Sequence, residues 1–308
     1  MAITESIVHY RRHLKRKNYS AHTVKNYMNS LKQFIVWVDV PIEQVSARKV
    51  LSYIDHLLDR GLSAKTINCH LESIRGYYHY LIDEEQVQIT HPVKTGYALR
   101  LAHPLPRYVR HEDLAKLFKR IVNHRDRAIF MVMLRCGLRV EEVANLTLSA
   151  LDLPRRQLFV YHGKGAKDRV VYISSDAYNA LVKYLKVRQS GRAKKLFLVE
   201  KGRYKGRPIS VRGIQKRMEY YARKAGLKVC CHQLRHTMAT QLLNADADLV
   251  TIQDLLGHSR IKTTQRYSKV SNLKVQRDYH KAIEKVMARH GVSDHAAARP
   301  AAQPGVST

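Results

Sequence analysis

Three serines constrain the first third of the chain. Ser20, Ser46 and Ser63 each stand just before apolar residues that recur at helical spacing. The three sets are Val24, Tyr27, Leu31, Phe34 and Ile35; Val50, Leu51, Ile54, Leu57 and Leu58; and Ile67, Leu71, Ile74, Tyr78 and Leu81. A serine hydroxyl in that place accepts from an otherwise unbonded N–H of the first helical turn. An apolar stripe of period 3.6 must then be buried against a neighbour. Gly61 closes the second set, because glycine takes the left-handed conformation that ends a helix. With a short basic helix over residues 5–17 in front, the pattern predicts a four-helix bundle over residues 1–88.

Proline interrupts this regularity at Pro92, Pro104 and Pro106, which marks residues 89–106 as a linker. Residues 107–289 read as a second domain. It opens with helices near 111–122 and 128–134, the latter ended near Gly137. Two strands, 158–161 and 169–173, flank the tip Gly163-Lys164-Gly165-Ala166-Lys167-Asp168 and predict a hairpin with a basic turn. Helix resumes at 177, and residues 183–207 are dense in Lys and Arg, as in a phosphate-contacting stretch or an exposed loop. A last helix from Ser271 carries Val275, Tyr279, Ile283 and Val286 on one face. Residues 290–308 are Ala, Pro, Gln, Gly and Ser in the main and predict a disordered tail. The fold class is mainly α with a small β-sheet.

Charge narrows the partner. The 308 residues hold 55 Lys and Arg against 25 Asp and Glu, a formal net charge of +30. An excess of that size calls for a polyanion, most simply nucleic acid. No stretch approaches the roughly 20 apolar residues of a membrane span, and the N-terminus carries no secretory signal. The expectation is a cytoplasmic protein with no membrane partner. The four cysteines form no C-x-x-C pair and the 17 histidines no H-E-x-x-H, so neither a metal nor a cofactor is expected.

Five short segments can carry chemistry. In Cys136-Gly137-Leu138-Arg139-Val140-Glu141-Glu142, Arg139 stands where a helix begins, a place that attracts anions. The plainer reading is an Arg139–Glu142 pair three residues apart, and Glu142 can orient Arg139 in either case. Lys164, between two glycines, can reach a ligand and donate a proton, or it can be a solvated turn residue; spacing does not choose between it and Lys167. His232 and Arg235, three apart on a helix, share a face and can converge on one anion. Leu255-Leu256 ends a helix, Gly257 permits a turn, and His258 follows it. Tyr267 stands shortly after. A phenol has an ordinary pKa of about 10 and attacks phosphate only when its proton is removed and the new charge is stabilised. Tyr279 competes with Tyr267, but its periodicity predicts packing.

In this order the segments resemble the tyrosine recombinase, or phage integrase, family. The resemblance covers residues 1 to about 285, is strongest over 135–268, and is nearest to Xer-type and related integron or transposon enzymes. It implies an N-terminal core-binding domain and a mixed α/β catalytic domain. Arg139 and Arg235 would bind the scissile phosphate, and His232 and His258 would supply hydrogen bonds and handle protons. Lys164 would protonate the leaving 5′ oxygen, and Tyr267 would form a 3′-phosphotyrosyl bond. The implied partner is double-stranded DNA with a specific target site, clamped between the two domains. Four protomers would act on two duplexes, with or without a partner recombinase.

The last helix, 271–289, would dock on a neighbouring protomer or pack on its own domain. Two departures stand beside the site: Cys231 where the family often has Pro, and Met238 where it usually has an aromatic. A thiol next to His232 suggests a site sensitive to oxidation. The alternatives are a topoisomerase-like enzyme that nicks and reseals DNA, and an architectural DNA-binding protein without catalysis.

Overall fold

The computed structural model describes residues 3–102, 107–161, 168–189 and 193–257, together with 264, 279–280 and 282–284. The chain divides into two compact units, Met1–His103 and Pro104–Thr308.

The first unit holds α1 (Ile3–Arg16), α2 (Ala21–Trp37), α3 (Ala47–Asp59) and α4 (Ala64–Asp83). Each predicted serine cap is made: Ser20, Ser46 and Ser63 accept from the N–H groups of Thr23, Lys49 and Thr66 at 3.1, 3.2 and 3.3 Å. Leu31, Phe34, Val50, Leu57, Ile67 and Ile74 form the centre of the core. Leu51 and Leu58, expected on the same stripe, are exposed. Each follows a buried neighbour by one position, and one residue turns a side chain about 100° around the helix. Tyrosines fill much of the interior, and their hydroxyls find partners. Tyr78 donates to the Ile42 carbonyl at 2.7 Å, while Tyr77 meets Ser6 at 2.9 Å and Tyr53 meets His70 at 3.0 Å. Tyr10 is the exception among the described residues, its hydroxyl buried without a partner.

The second unit is built around α6 (His124–Arg135), in which every residue from Ala128 to Leu134 is buried. Against it pack α8 (Ser175–Val187), α9 (Val211–Lys224) and α10 (Cys231–Asn244). Asp126, fully buried, anchors this arrangement. It accepts from Arg125 on its own helix, and from Arg217 at 2.6 Å and Tyr221 at 3.0 Å on α9. The smaller elements are α5 (His111–Arg120), α7 (Val140–Asn145), α11 (Leu249–Leu256) and three antiparallel strands, β1 (Leu151–Asp152), β2 (Gln157–Val160) and β3 (Arg169–Tyr172), in the order β1-β2-β3.

The register sets Leu158 opposite Val171, both buried. β1 was not expected from the sequence: a strand of two residues is too short to show a period. The fold is therefore mainly helical with one small sheet.

The basic stretch 183–207 was expected to contact phosphate or form an exposed loop, but its described residues include a buried segment. Leu196, Phe197 and Leu198 are buried. Arg188 donates to the carbonyls of Leu196 and Lys195, and Lys195 to that of Asn145, so these two cations serve the fold. Tyr279 is 61% exposed, not packed as its periodicity suggested. The spacing marks an apolar face but does not say what covers it. No helix among the described residues is long and apolar enough to cross a membrane.

The two kinds of buried tyrosine should respond differently to loss of the hydroxyl. Tyr78→Phe is expected to cost about 1 kcal/mol, the net worth of an internal hydrogen bond. Tyr10→Phe is expected to leave stability unchanged or raise it, since it removes a hydroxyl that burial leaves unbonded. Urea unfolding of both variants at pH 7 tests the ordering.

Candidate active site

The site forms where α6, α7, α10 and α11 meet. Cys136 ends α6, and Gly137 follows in the left-handed region with φ +65°. A side chain there would need both that conformation and space already held by Met238 and Leu256, 2.9 and 3.0 Å from an added Cβ. The turn places Arg139 at the N-cap of α7. Its backbone N–H and its Nη1 both donate to Glu142, at 2.8 and 2.9 Å. His232 and Arg235 lie in the first turns of α10, three residues apart and on one face as expected.

Arg139, His232 and Arg235 line one pocket of about 210 Å³, together with Val140, Gln215 and Cys231. That is several times the volume of a water molecule and leaves room for a phosphodiester.

Arg235 is 1% exposed. It donates to the carbonyls of Gly137 and Leu256, which hold it at the pocket wall. Arg139 also donates to the Gly257 carbonyl at 3.3 Å. A third arginine, not singled out in the sequence, completes the group. Arg169, on β3, donates to the Leu255 carbonyl at 2.9 Å. It also forks onto both carboxylate oxygens of Glu142 at 2.9 and 2.8 Å.

Three successive carbonyls at the C-terminal end of α11 thus each hold one guanidinium. That end carries the negative pole of the helix and backbone oxygens without intrahelical donors. Gly257 ends the helix in the left-handed conformation, φ +60°, as the sequence suggested. The signal for Arg169 was available: β3 alternates, with Val170 and Tyr172 exposed and Val171 buried. Arg169 therefore shares the inward face, where a cation needs an anion.

The electrostatics follow from this packing. Burial would raise the Glu142 pKa, but Arg169 first and Arg139 second outweigh it and bring it to about 2. His232 is exposed as a residue, yet desolvation of its ring lowers its pKa from 6.5, and the charges of Arg235 and Arg139 lower it further. Both effects favour the neutral imidazole. Cys231 is buried, and burial pushes its thiol up to about 12. A thiol so rarely ionised is a poor target for oxidants, which argues against the oxidation sensitivity suggested by its position. Lys164, Lys167, His258 and Tyr267 lie outside the described residues.

The match to known families agrees with this geometry. Residues 107–274 match the phage integrase family, and residues 7–85 match the phage integrase N-terminal SAM-like domain. The chain belongs to the phage integrase family and is a tyrosine recombinase. It is 32% identical over 288 residues to tyrosine recombinase XerA of Thermococcus kodakarensis, covering 92% of this chain and 98% of that one. It is 33% identical over 276 residues to tyrosine recombinase XerC of Thermodesulfovibrio yellowstonii, covering 86% and 91%. Its fold is shared by the Tn1549 transposon integrase solved in complex with transposon right end DNA, with TM-score 0.72, 19% identity and coverage of 85% and 94%. It is also shared by a lambda integrase dimer bound to a core site, with TM-score 0.72, 17% identity and coverage of 87% and 95%. These similarities favour neither a topoisomerase nor a purely architectural role.

The lowered pKa of Glu142 gives a signed expectation. A carboxylate at about 2 in the folded chain and at 4.5 ordinarily stabilises the fold above pH 4.5. That contribution is lost as pH falls from 4.5 toward 2. Glu142→Gln should therefore lower stability by about 3 kcal/mol at pH 7, with the gap to the parent roughly halved at pH 3. Chemical unfolding at the two pH values reads it directly.

Proposed function

We propose that this chain cuts and rejoins DNA at a specific site through a 3′-phosphotyrosyl intermediate, exchanging strands between two duplexes. The observation that carries the reading is the convergence of Arg139 from the start of α7 with His232 and Arg235 from α10 on one pocket. A phosphodiester in that pocket would meet two guanidiniums, which bind its oxygens and stabilise the charge that grows as a nucleophile attacks. A neutral His232 can give a hydrogen bond to the same phosphate, and the anion would raise its pKa toward the charged form.

The covalent step is a transesterification. The Tyr267 phenol loses its proton and its oxygen bonds to phosphorus, while the bond to the 5′ oxygen breaks and that oxygen takes a proton from Lys164. His258 assists the proton traffic. One phosphodiester is replaced by another, and attack by a 5′ hydroxyl from the second duplex reverses the step with strands exchanged. In this reading residues 1–88 form the core-binding domain, 89–106 the linker, 107–289 the catalytic domain and 290–308 a tail. The enzyme works in the cytoplasm as a tetramer on two duplexes, as four copies or with a partner recombinase. The net charge of +30 supports the DNA partner.

A library of duplexes with randomised arms and a nick beside the cleavage position, incubated without Mg²⁺, provides the test. Members that become covalently attached are recovered under denaturing conditions. Adducts are expected with the parent and with Tyr279→Phe, and none with Tyr267→Phe; adducts that persist in Tyr267→Phe would sink the assignment of the nucleophile. Arg139→Ala should slow adduct formation by about 10²–10³-fold, the usual loss on removing one transition-state donor. Duplex affinity should fall steeply between 50 and 200 mM salt, as for any protein that displaces counterions from phosphates.

A further inference from the structure

We infer that Arg169 is a positioning residue of the reaction, which keeps Arg139 available to the phosphate by holding the carboxylate that would otherwise capture it. This rests on the reading of Arg139 and Arg235 as phosphate-binding groups. The geometry is specific. Glu142 has a side chain only 6% exposed, and Arg139 and Arg169 both bond it. Arg169 takes it in a fork, two parallel bonds to the two oxygens, whereas the Arg139 side chain reaches one oxygen through a single Nη1. A planar guanidinium matches a carboxylate best in that bidentate form. Arg169 is accordingly the stronger partner, and Arg139 keeps its Nη2 on the Gly257 carbonyl while its side chain lines the pocket.

Charge counting gives the same answer. Three guanidiniums, Arg139, Arg169 and Arg235, stand against one buried carboxylate, Glu142, a net excess of two positive charges among these groups; Glu141, which is exposed, also lines the pocket. Phosphodiester attack by a phenolate carries two negative charges in its transition state, against one in the bound substrate. Without Arg169 the excess drops to one. A buried carboxylate would then have a single cation to neutralise it, and Arg139 would be drawn from single-bonded to forked contact, away from the pocket.

Arg169 also opens β3, and its Nε donates to the Leu255 carbonyl at 2.9 Å. The packing around it is tight: a Cβ on Gly257 would lie 3.1 Å from the Arg169 Cδ and Nη1.

The test is a four-way comparison in the full-length chain: parent, Arg169→Ala, Glu142→Gln and the double variant. Each is assayed for single-turnover adduct formation on a nicked duplex recovered from the library above. Arg169→Ala is expected to slow the covalent step on the order of 100-fold, the scale of a small misplacement of a reacting group. Its affinity for the duplex should change by less than about threefold, because the loss lies in the transition state. Adding Glu142→Gln should then restore at least about tenfold, since a neutral amide does not compete for Arg139.

A purely structural role predicts that the two losses compound. A double variant as slow as Arg169→Ala, or an Arg169→Ala rate within about twofold of the parent, overturns the inference. If Arg169→Ala fails to melt cooperatively, Arg169→Lys replaces it. That variant keeps the charge without the fork, should be slow, and should be rescued in the same way; absence of rescue there is equally decisive. A parent that binds duplexes yet never forms an adduct overturns the reading of the site and this inference with it. A parent that cleaves, with no rescue in either pair, overturns the inference alone.

Discussion

Everything at the site depends on how one short helix ends. The last carbonyls of α11, at Leu255, Leu256 and Gly257, each accept from a different arginine: Arg169, Arg235 and Arg139. Guanidiniums gathered this closely repel one another, and the arrangement persists because the negative pole of a helix and one buried carboxylate face them. The arginines arrive from a strand, from α10 and from the turn before α7. The helix end therefore ties together three elements that are distant in the chain, and it does so with the same bonds that aim two of the guanidiniums at the pocket.

The second unit supplies the rigidity such an arrangement needs. α6 is buried all round from Ala128 to Leu134, and the buried Asp126 binds it to α9 through Arg217 and Tyr221. α10 also packs against α6, so the helix that carries His232 and Arg235 rests on the best-buried element of the domain. A site whose side chains are positioned through packed helices holds its geometry before any ligand arrives, which is what electrostatic stabilisation of a transition state requires.

Much of this was legible in the sequence. The serine caps at 20, 46 and 63 were, because a cap followed by a 3.6-residue period is a local signal. The turn at Gly137 and the stop at Gly257 were, because glycine marks left-handed backbone. That His232 and Arg235 share a face follows from helical spacing alone. What was not legible depends on long-range pairing. The strand Leu151–Asp152 exists only through its partner β2. The role of Arg169 appears only once β3 and α11 are neighbours, although its inward place on an alternating strand was a usable hint. The basic stretch near Arg188 and Lys195 looked available to phosphate because sequence shows charge and not the carbonyls that claim it.

The acceptors at the end of α11 are main-chain oxygens. No substitution at Leu255 or Leu256 can delete them, and a change of side chain there leaves three oxygens facing three guanidiniums. Sensitivity shifts instead to torsion. At Gly257 a Cβ would press on Arg169, and the backbone conformation is one that other residues rarely adopt. The electrostatic heart of the protein is thus encoded less by which residues stand at 255–257 than by the path the backbone takes through them.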